Sequence, residues 1–376
     1  MNNYINPFIT SGYVSHEYFC DRENETEQLI KEIKNGNNLA LISTRRMGKT
    51  GLIKHCFSNK EIQEQYRTFF VDIYATKSLR DFVFALSKVL LEGLKPFGVR
   101  ALEKFWDAVK SLRAGITFDP VGNPSFNIGL GDIHEPQSTL DEIFSYLSKS
   151  DKPCIVAIDE FQQIASYTEK NVEAILRTHI QHCNNVCFIF AGSQHHTIGN
   201  IFLSASRPFY QSVSMLYLKS IPVSKYSEFA MSHFEQAGKT IYQDVIEKIY
   251  QQFDGITWYL QKMLNVLYEM TSKGEVCNPS FIAYAVENIL NSFQYVYSEM
   301  LFRLPEKQKE LLVAIAKEGK VNAPTSGNFV KKYRLQSSSS VQAALKGLLD
   351  KDFITKEKDE YQVYDKFFCI WLKENW

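Results

Sequence analysis

This chain has no cysteine framework, no long apolar run and no excess of either charge. Its seven cysteines (Cys20, Cys56, Cys154, Cys183, Cys187, Cys277 and Cys369) form no C-x-x-C pair, and Cys183 and Cys187 lack neighbours at zinc-site spacing. An odd, scattered set, several of them inside apolar runs, argues against a disulfide scaffold and points to a reducing cytoplasm. No stretch of about 20 apolar residues could span a bilayer, so no membrane partner is expected. The opening Met1-Asn2-Asn3-Tyr4-Ile5-Asn6-Pro7 has neither the basic start nor the apolar core of a secretory signal. Forty-two basic and 42 acidic residues cancel, which removes any global field that would attract a polyanion. The balance tilts only at the end, where residues 301–376 hold 14 Lys and Arg against 10 Asp and Glu.

What is present is ordinary globular material, 45% hydrophobic and 22% charged, long enough at 376 residues for two or three domains. Its most informative stretch is 39–53, LALISTRRMGKTGLI. An apolar strand-like start runs into a basic turn ending Gly48-Lys49-Thr50, and a helix-like run follows at once. That strand–loop–helix context is what a phosphate-binding loop requires. The loop comprises Ser43, Thr44, Arg45, Arg46, Met47, Gly48, Lys49, Thr50 and Gly51. Backbone N–H groups at the helix start face the phosphates, where the helix dipole favours negative charge. Lys49 is expected to reach the β- and γ-phosphates, and the Thr50 hydroxyl to ligate Mg²⁺. Ser43 stands where G-x-x-x-x-G-K-S/T has its first glycine, and it can make the turn only with a negative φ.

A second half of such a site needs a carboxylate on a neighbouring strand. The apolar run 154–158, CIVAI, has the length of a buried strand and ends in Asp159-Glu160-Phe161-Gln162. Asp159 is expected to hold Mg²⁺, and Glu160 to polarise a water for in-line attack on the γ-phosphate. A third apolar run, 186–191, ends in Gly192-Ser193-Gln194. Ser193 either touches the γ-phosphate or orients the water, or it merely caps the next segment; the residues leave both readings open. Residues 69–73 make a further strand candidate, with Asp72 in a structural role.

These segments resemble the STAND-type AAA+ relatives known as archaeal-type ATPases. Three other stretches are similar to motifs of that family: FCDRENE at 19–25, GITWYLQ at 255–261 and YQVYDKFFCIWL at 361–372. The resemblance implies a P-loop ATPase domain, a helical lid and a winged-helix domain, with ATP and Mg²⁺ as cofactors. It places Arg22 and Glu23 beside the adenine. The chain departs from the family at Asp21 (usually Gly), Thr257 and Lys366 (usually Pro), and Cys369 (usually Arg). Where the family commonly has P-L-Y-G-R, this chain has Pro208-Phe209-Tyr210-Gln211-Ser212, so the arginine that answers the γ-phosphate is missing from its usual place. Arg207 is the nearest substitute, and equally a plain surface charge.

Alternating strands and helices up to about 215 predict an α/β domain with a mostly parallel sheet. Within it, 115–118 and 125–128 read as a β-hairpin with a turn-rich tip at 119–124. Helical periodicity dominates from 224 to 298. Helices are expected at 305–318, 325–333 and 338–350, followed by a wing of strands at 353–356 and 360–364. The organisation expected is thus an ATPase domain at 1–215, a helical lid at 216–300 and a winged helix at 301–376. The recognition helix starts at a serine cluster, Ser337 to Ser340, and would expose Ser338, Ser339, Gln342 and Lys346. Lys331, Lys332, Arg334 and Lys346 are the candidate DNA contacts, although a DNA-reading helix usually carries more positive charge. Two functions follow: a nucleotide-driven switch that hydrolyses ATP slowly and works with a protein partner or by self-association, or a DNA-binding regulator in which ATP is structural or unhydrolysed.

Overall fold

The computed structural model describes residues 6–118, 124–126, 129–193, 195–357 and 359–376. Contacts divide the chain into two compact units, the first comprising residues 1–229 and 255–261, the second residues 230–254 and 262–376.

The first unit is built on a five-stranded sheet. Its strands in chain order are β1 (Leu39–Ile42), β2 (Arg67–Asp72), β3 (Cys154–Asp159), β4 (Val186–Gly192) and β5 (Ser214–Tyr217). The spatial order is β2-β3-β4-β1-β5, with every pair parallel. A parallel sheet is covered on both faces, and so β1, β3 and β4 are buried at every position. The period of two sorts their side chains between two cores. Ala40, Ile42, Val156, Ile158, Phe188 and Phe190 face one core, shared with Phe82, Leu86 and Leu90 of the helix Leu79–Leu94. Leu39, Leu41, Ile155, Ala157, Ile189 and Ala191 face the other, shared with α1 (Glu23–Lys34) and α2 (Lys49–Ser58).

The register brings the carboxyl ends level, Ile42 beside Gly192 and Asp72 beside Asp159. Ligands of open α/β sheets bind outside those ends. Asp72 has the structural role expected of it, accepting the Tyr74 amide at 2.9 Å. The hairpin forms as Ile116–Phe118 against Pro124–Phe126, antiparallel. Its tip at 119–123, its end at 127–128 and Gln194 lie outside the described residues.

Two positions where the family usually has glycine show what glycine would supply there. Asp21 has φ 54°, and Gln211 has φ 49°. Both backbones are left-handed, which a side chain other than Gly adopts at a cost.

The second unit ends in three helices, a wing and a closing helix. These are α3 (Glu306–Glu318), α4 (Gly327–Lys332), α5 (Ser338–Asp350), β6 (Ile354–Glu357), β7 (Glu360–Val363) and α6 (Lys366–Asn375). The expected helices and wing agree with these within two residues at each end. Ser337 caps α5, accepting the Ser340 amide at 3.2 Å, and Ser338, Ser339, Gln342 and Lys346 are exposed. Packing that the local pattern does not announce joins Thr240–Ile241 to Val276–Cys277 as a short parallel pair.

Candidate functional site

Three strand ends converge at one edge of the first unit's sheet. β1 runs through 43–48 into α2, β3 ends at Asp159-Glu160, and β4 ends at Gly192-Ser193. The pocket there has a volume of about 280 Å³. Arg45, Arg46, Met47, Gly48, Lys49, Thr50 and Gly51 line it, together with Asp159, Glu160 and Arg22. No side chain caps α2, so its first amides remain available to an anion.

The loop's left-handed residues are Arg46 (φ 67°) and Gly48 (φ 94°), and Ser43 is not among them. Ser43 therefore makes the first turn without strain. Its hydroxyl donates to the Thr44 carbonyl (2.7 Å) and accepts from Lys49 Nζ (3.2 Å). Across the pocket the Thr50 hydroxyl donates to Asp159 Oδ2 at 2.7 Å. The Glu160 carboxylate is held from two sides. Ser193 Oγ donates to it at 2.9 Å, and the Gln162 side-chain amide donates from two residues on. Arg45 Nε donates in turn to Ser193 Oγ at 3.2 Å. Glu160 itself has φ 57°, a strained conformation of the kind that concentrates at functional sites.

Burial shapes the charges. Lys49 is 7% exposed, and burial holds its ammonium below the usual lysine range, an effect opposed by Asp159 and Glu160. Burial raises the Asp159 carboxyl, against the Thr50 hydrogen bond and the Lys49 charge. Both groups are thus desolvated, Asp159 eased first by the Thr50 hydrogen bond and then by the Lys49 charge, and Lys49 by Asp159 and Glu160.

Not every expected residue reaches the lining. Ser43, Thr44 and Ser193 are not lining residues, although Ser43 accepts from Lys49 and Ser193 donates to Glu160. Arg22 lines the pocket, buried, donating to Glu25 (2.7 Å), whereas Glu23 is exposed and outside the lining. Arg207 is not in the lining, and its guanidinium is paired with Glu173.

Some contributors carry only a faint sequence signal. Residues 9–14 line the pocket, with Thr10 accepting from Trp258 Nε1 at 3.0 Å. The stretch 255–261 grips the phosphate loop: the Trp258 amide donates to the Arg46 carbonyl (3.1 Å), Thr257 Oγ1 to the Met47 carbonyl (3.3 Å), and the Arg46 guanidinium lies 4.3 Å from the Trp258 ring. Gln162 stands in the quoted acidic motif, but its spacing does not reveal that it turns back onto Glu160.

Gly192 makes room for that arrangement. A Cβ there would lie 2.3 Å from Gln162 Oε1 and 2.5 Å from Ile198 Cδ1. Gly192→Ala is expected to lower stability in urea unfolding by about 1–3 kcal/mol, the usual cost of overpacking.

The comparisons with known proteins agree with this geometry. A family described as an ATPase domain predominantly from Archaea matches residues 19–263, and a winged helix domain matches residues 295–374. The chain belongs to that archaeal-type ATPase family. An uncharacterized ATP-binding protein of Methanocaldococcus jannaschii is 29% identical over 159 residues, which are 39% of this chain and 43% of that relative; the match thus spans less than half of that relative's length. Among solved structures, the Walker-type ATPase of Pyrococcus abyssi is 18% identical, with TM-score 0.65 over 98% of this chain and 99% of that one. The ORC2 protein of Aeropyrum pernix, solved in ADPNP–ADP complexes, is 15% identical, with TM-score 0.56 over 100% and 96%. At such identities the structures establish the fold: a P-loop ATPase-type α/β domain with a C-terminal winged helix. Among the described residues no helix is long and apolar enough to cross a membrane.

Proposed function

We propose that this archaeal-type ATPase binds ATP with Mg²⁺ and hydrolyses it slowly, using the nucleotide as a switch. The observation that carries this is the meeting of Thr50 Oγ1 and Asp159 Oδ2 at 2.7 Å in the pocket that Lys49 also lines. A hydroxyl and a carboxylate are hard oxygen donors, the set that suits Mg²⁺. When bound there, the ion would neutralise charge on the β- and γ-phosphates. Lys49 supplies a second positive charge, and the amides at the start of α2 supply hydrogen bonds. In the reaction a water oxygen adds to Pγ while the bond from Pγ to the bridging oxygen breaks. The electron pair leaves on ADP, and the proton of the water passes to Glu160 and on to solvent.

Two features support slow turnover. Ser212 stands where the family commonly has arginine, and Ser193 and Gln162 hold the Glu160 carboxylate. The switch reading is supported by the hold of 255–261 on the phosphate loop, through which a change at Arg46 and Met47 would reach Thr257 and Trp258. In the second unit Lys332 is engaged by Glu318 at 2.6 Å, with Lys331, Arg334 and Lys346 exposed. Phosphate neutralisation supplies most DNA affinity, and four exposed cations, one of them already paired, supply little of it. We therefore read the winged helix as a protein-docking or self-association module, with DNA contact through Lys331, Lys332, Arg334 and Lys346 as the alternative.

Titration calorimetry with ATP, in Mg²⁺ and in EDTA, tests the proposal. Wild type is expected to bind more tightly with Mg²⁺. Asp159→Asn is expected to bind in EDTA as wild type does, and to lose at least about tenfold of the gain from Mg²⁺. Wild-type binding that is absent or indifferent to Mg²⁺ would overturn the reading.

A further inference from the structure

We propose that Arg45 is a catalytic residue, its guanidinium answering the γ-phosphoryl group of ATP from within the same phosphate loop. This rests on the ATPase reading above and adds to it the source of the missing positive charge. The chain has no arginine at 212, and Arg207, the nearest one, is taken up by Glu173 outside the pocket lining. Arg46, next in the loop, is turned to Tyr259 and the Trp258 ring.

Arg45 is turned the other way. It lines the pocket and donates to Ser193 Oγ at 3.2 Å, and Ser193 donates to Glu160 at 2.9 Å. Its charge also acts on Lys49. The lysine of such a loop reaches the β- and γ-phosphates, and the carboxylate that serves the attacking water stands at the γ end. A guanidinium one hydrogen bond from Ser193 and two from Glu160 is therefore at the γ end of the site. There its planar fork can take two phosphoryl oxygens at once. Negative charge grows on the departing bridging oxygen and is shared by the equatorial oxygens as the bond to Pγ breaks, and a fixed cation stabilises that distribution more than the ground state.

The bland alternative makes Arg45 a prop for Ser193. That role would affect Glu160 but would not distinguish ATP from ADP. The test compares wild type, Arg45→Gln and Arg45→Lys, each checked by thermal melting. Affinities for ATP and ADP, phosphate release, and trapping of ADP with aluminium fluoride are measured.

For Arg45→Gln we expect ADP affinity within threefold of wild type and loss of at least about tenfold in the preference for ATP over ADP. Phosphate release should fall by at least about 100-fold, and the ADP–fluoroaluminate complex should not form. Arg45→Lys, which keeps the charge without the fork, is expected to fall between. Turnover and trapping within threefold of wild type in Arg45→Gln would overturn the proposal. Loss of ADP binding along with ATP would overturn it as well, because Arg45 would then be supporting the loop as a whole. Wild-type protein that binds no nucleotide overturns the ATPase reading itself, and so the two failures are told apart.

Discussion

Lys49→Ala is expected to lose ATP binding by at least about 100-fold, read by fluorescent-nucleotide titration, while the protein stays folded. The size follows from two losses. A charged group makes hydrogen bonds worth roughly 1.5–3 kcal/mol each, and about 1.4 kcal/mol is a factor of ten in affinity. Lys49 also offsets two carboxylates, Asp159 and Glu160, that would otherwise meet the triphosphate alone. ATP binding within about threefold of wild type would remove the loop from the nucleotide site.

Loss of binding must be separated from loss of fold, and the charges of the pocket allow it. Burial raises the Asp159 carboxyl, so folding disfavours its ionised form, and that component of stability is lost as pH rises above about 3.8. Burial lowers the Lys49 ammonium, so the corresponding component is lost as pH falls below about 10.5. Between those limits burial works against the charged form of both groups. Replacing a buried pair by neutral residues of similar volume is often neutral or stabilising, whereas removing one partner strands the other. In the Lys49→Met/Asp159→Asn double variant, urea unfolding should therefore show a protein at least as stable as wild type, and the nucleotide titration should show no binding.

The parts of this site that were legible in the sequence are those in which one segment contains both the element and its chemistry. The strand–loop–helix at 39–53 and the apolar run ending in Asp159-Glu160 need no partner to be recognised, because a fully buried parallel strand is a continuous apolar run and a phosphate loop is contiguous. The winged helix was legible for the same reason: serine caps, helical periodicity and a polar turn between two short strands are local signals. What spacing does not contain is the direction of side chains across separate elements. The adjacency of Ser193 to Glu160 depends on β4 lying between β1 and β3, which is a matter of sheet order. The engagement of Arg207 with Glu173 depends on the helix Val172–Gln181, which no motif singles out. Gln162 lies inside a quoted motif, yet its role appears only when Glu160 takes a left-handed backbone and Gly192 leaves space beside it.

Glu160→Gln is expected to bind ATP within about threefold of wild type and to lose about 10²–10⁴-fold in phosphate release, the range for removing a positioned general base. Glutamine keeps the shape and can still accept from Ser193, so the pocket that meets the phosphates is preserved; it cannot take a proton from water. The contacts of Glu160 sharpen the expectation. The carboxylate accepts from both Ser193 and Gln162, and it must give up one of those hydrogen bonds to face the water. Gln162→Leu, which removes one of the two, should therefore alter turnover without altering ATP affinity, read by phosphate release beside nucleotide titration. A rate unchanged in Glu160→Gln would mean that Glu160 is not the base and that its strained, doubly held conformation serves the fold instead.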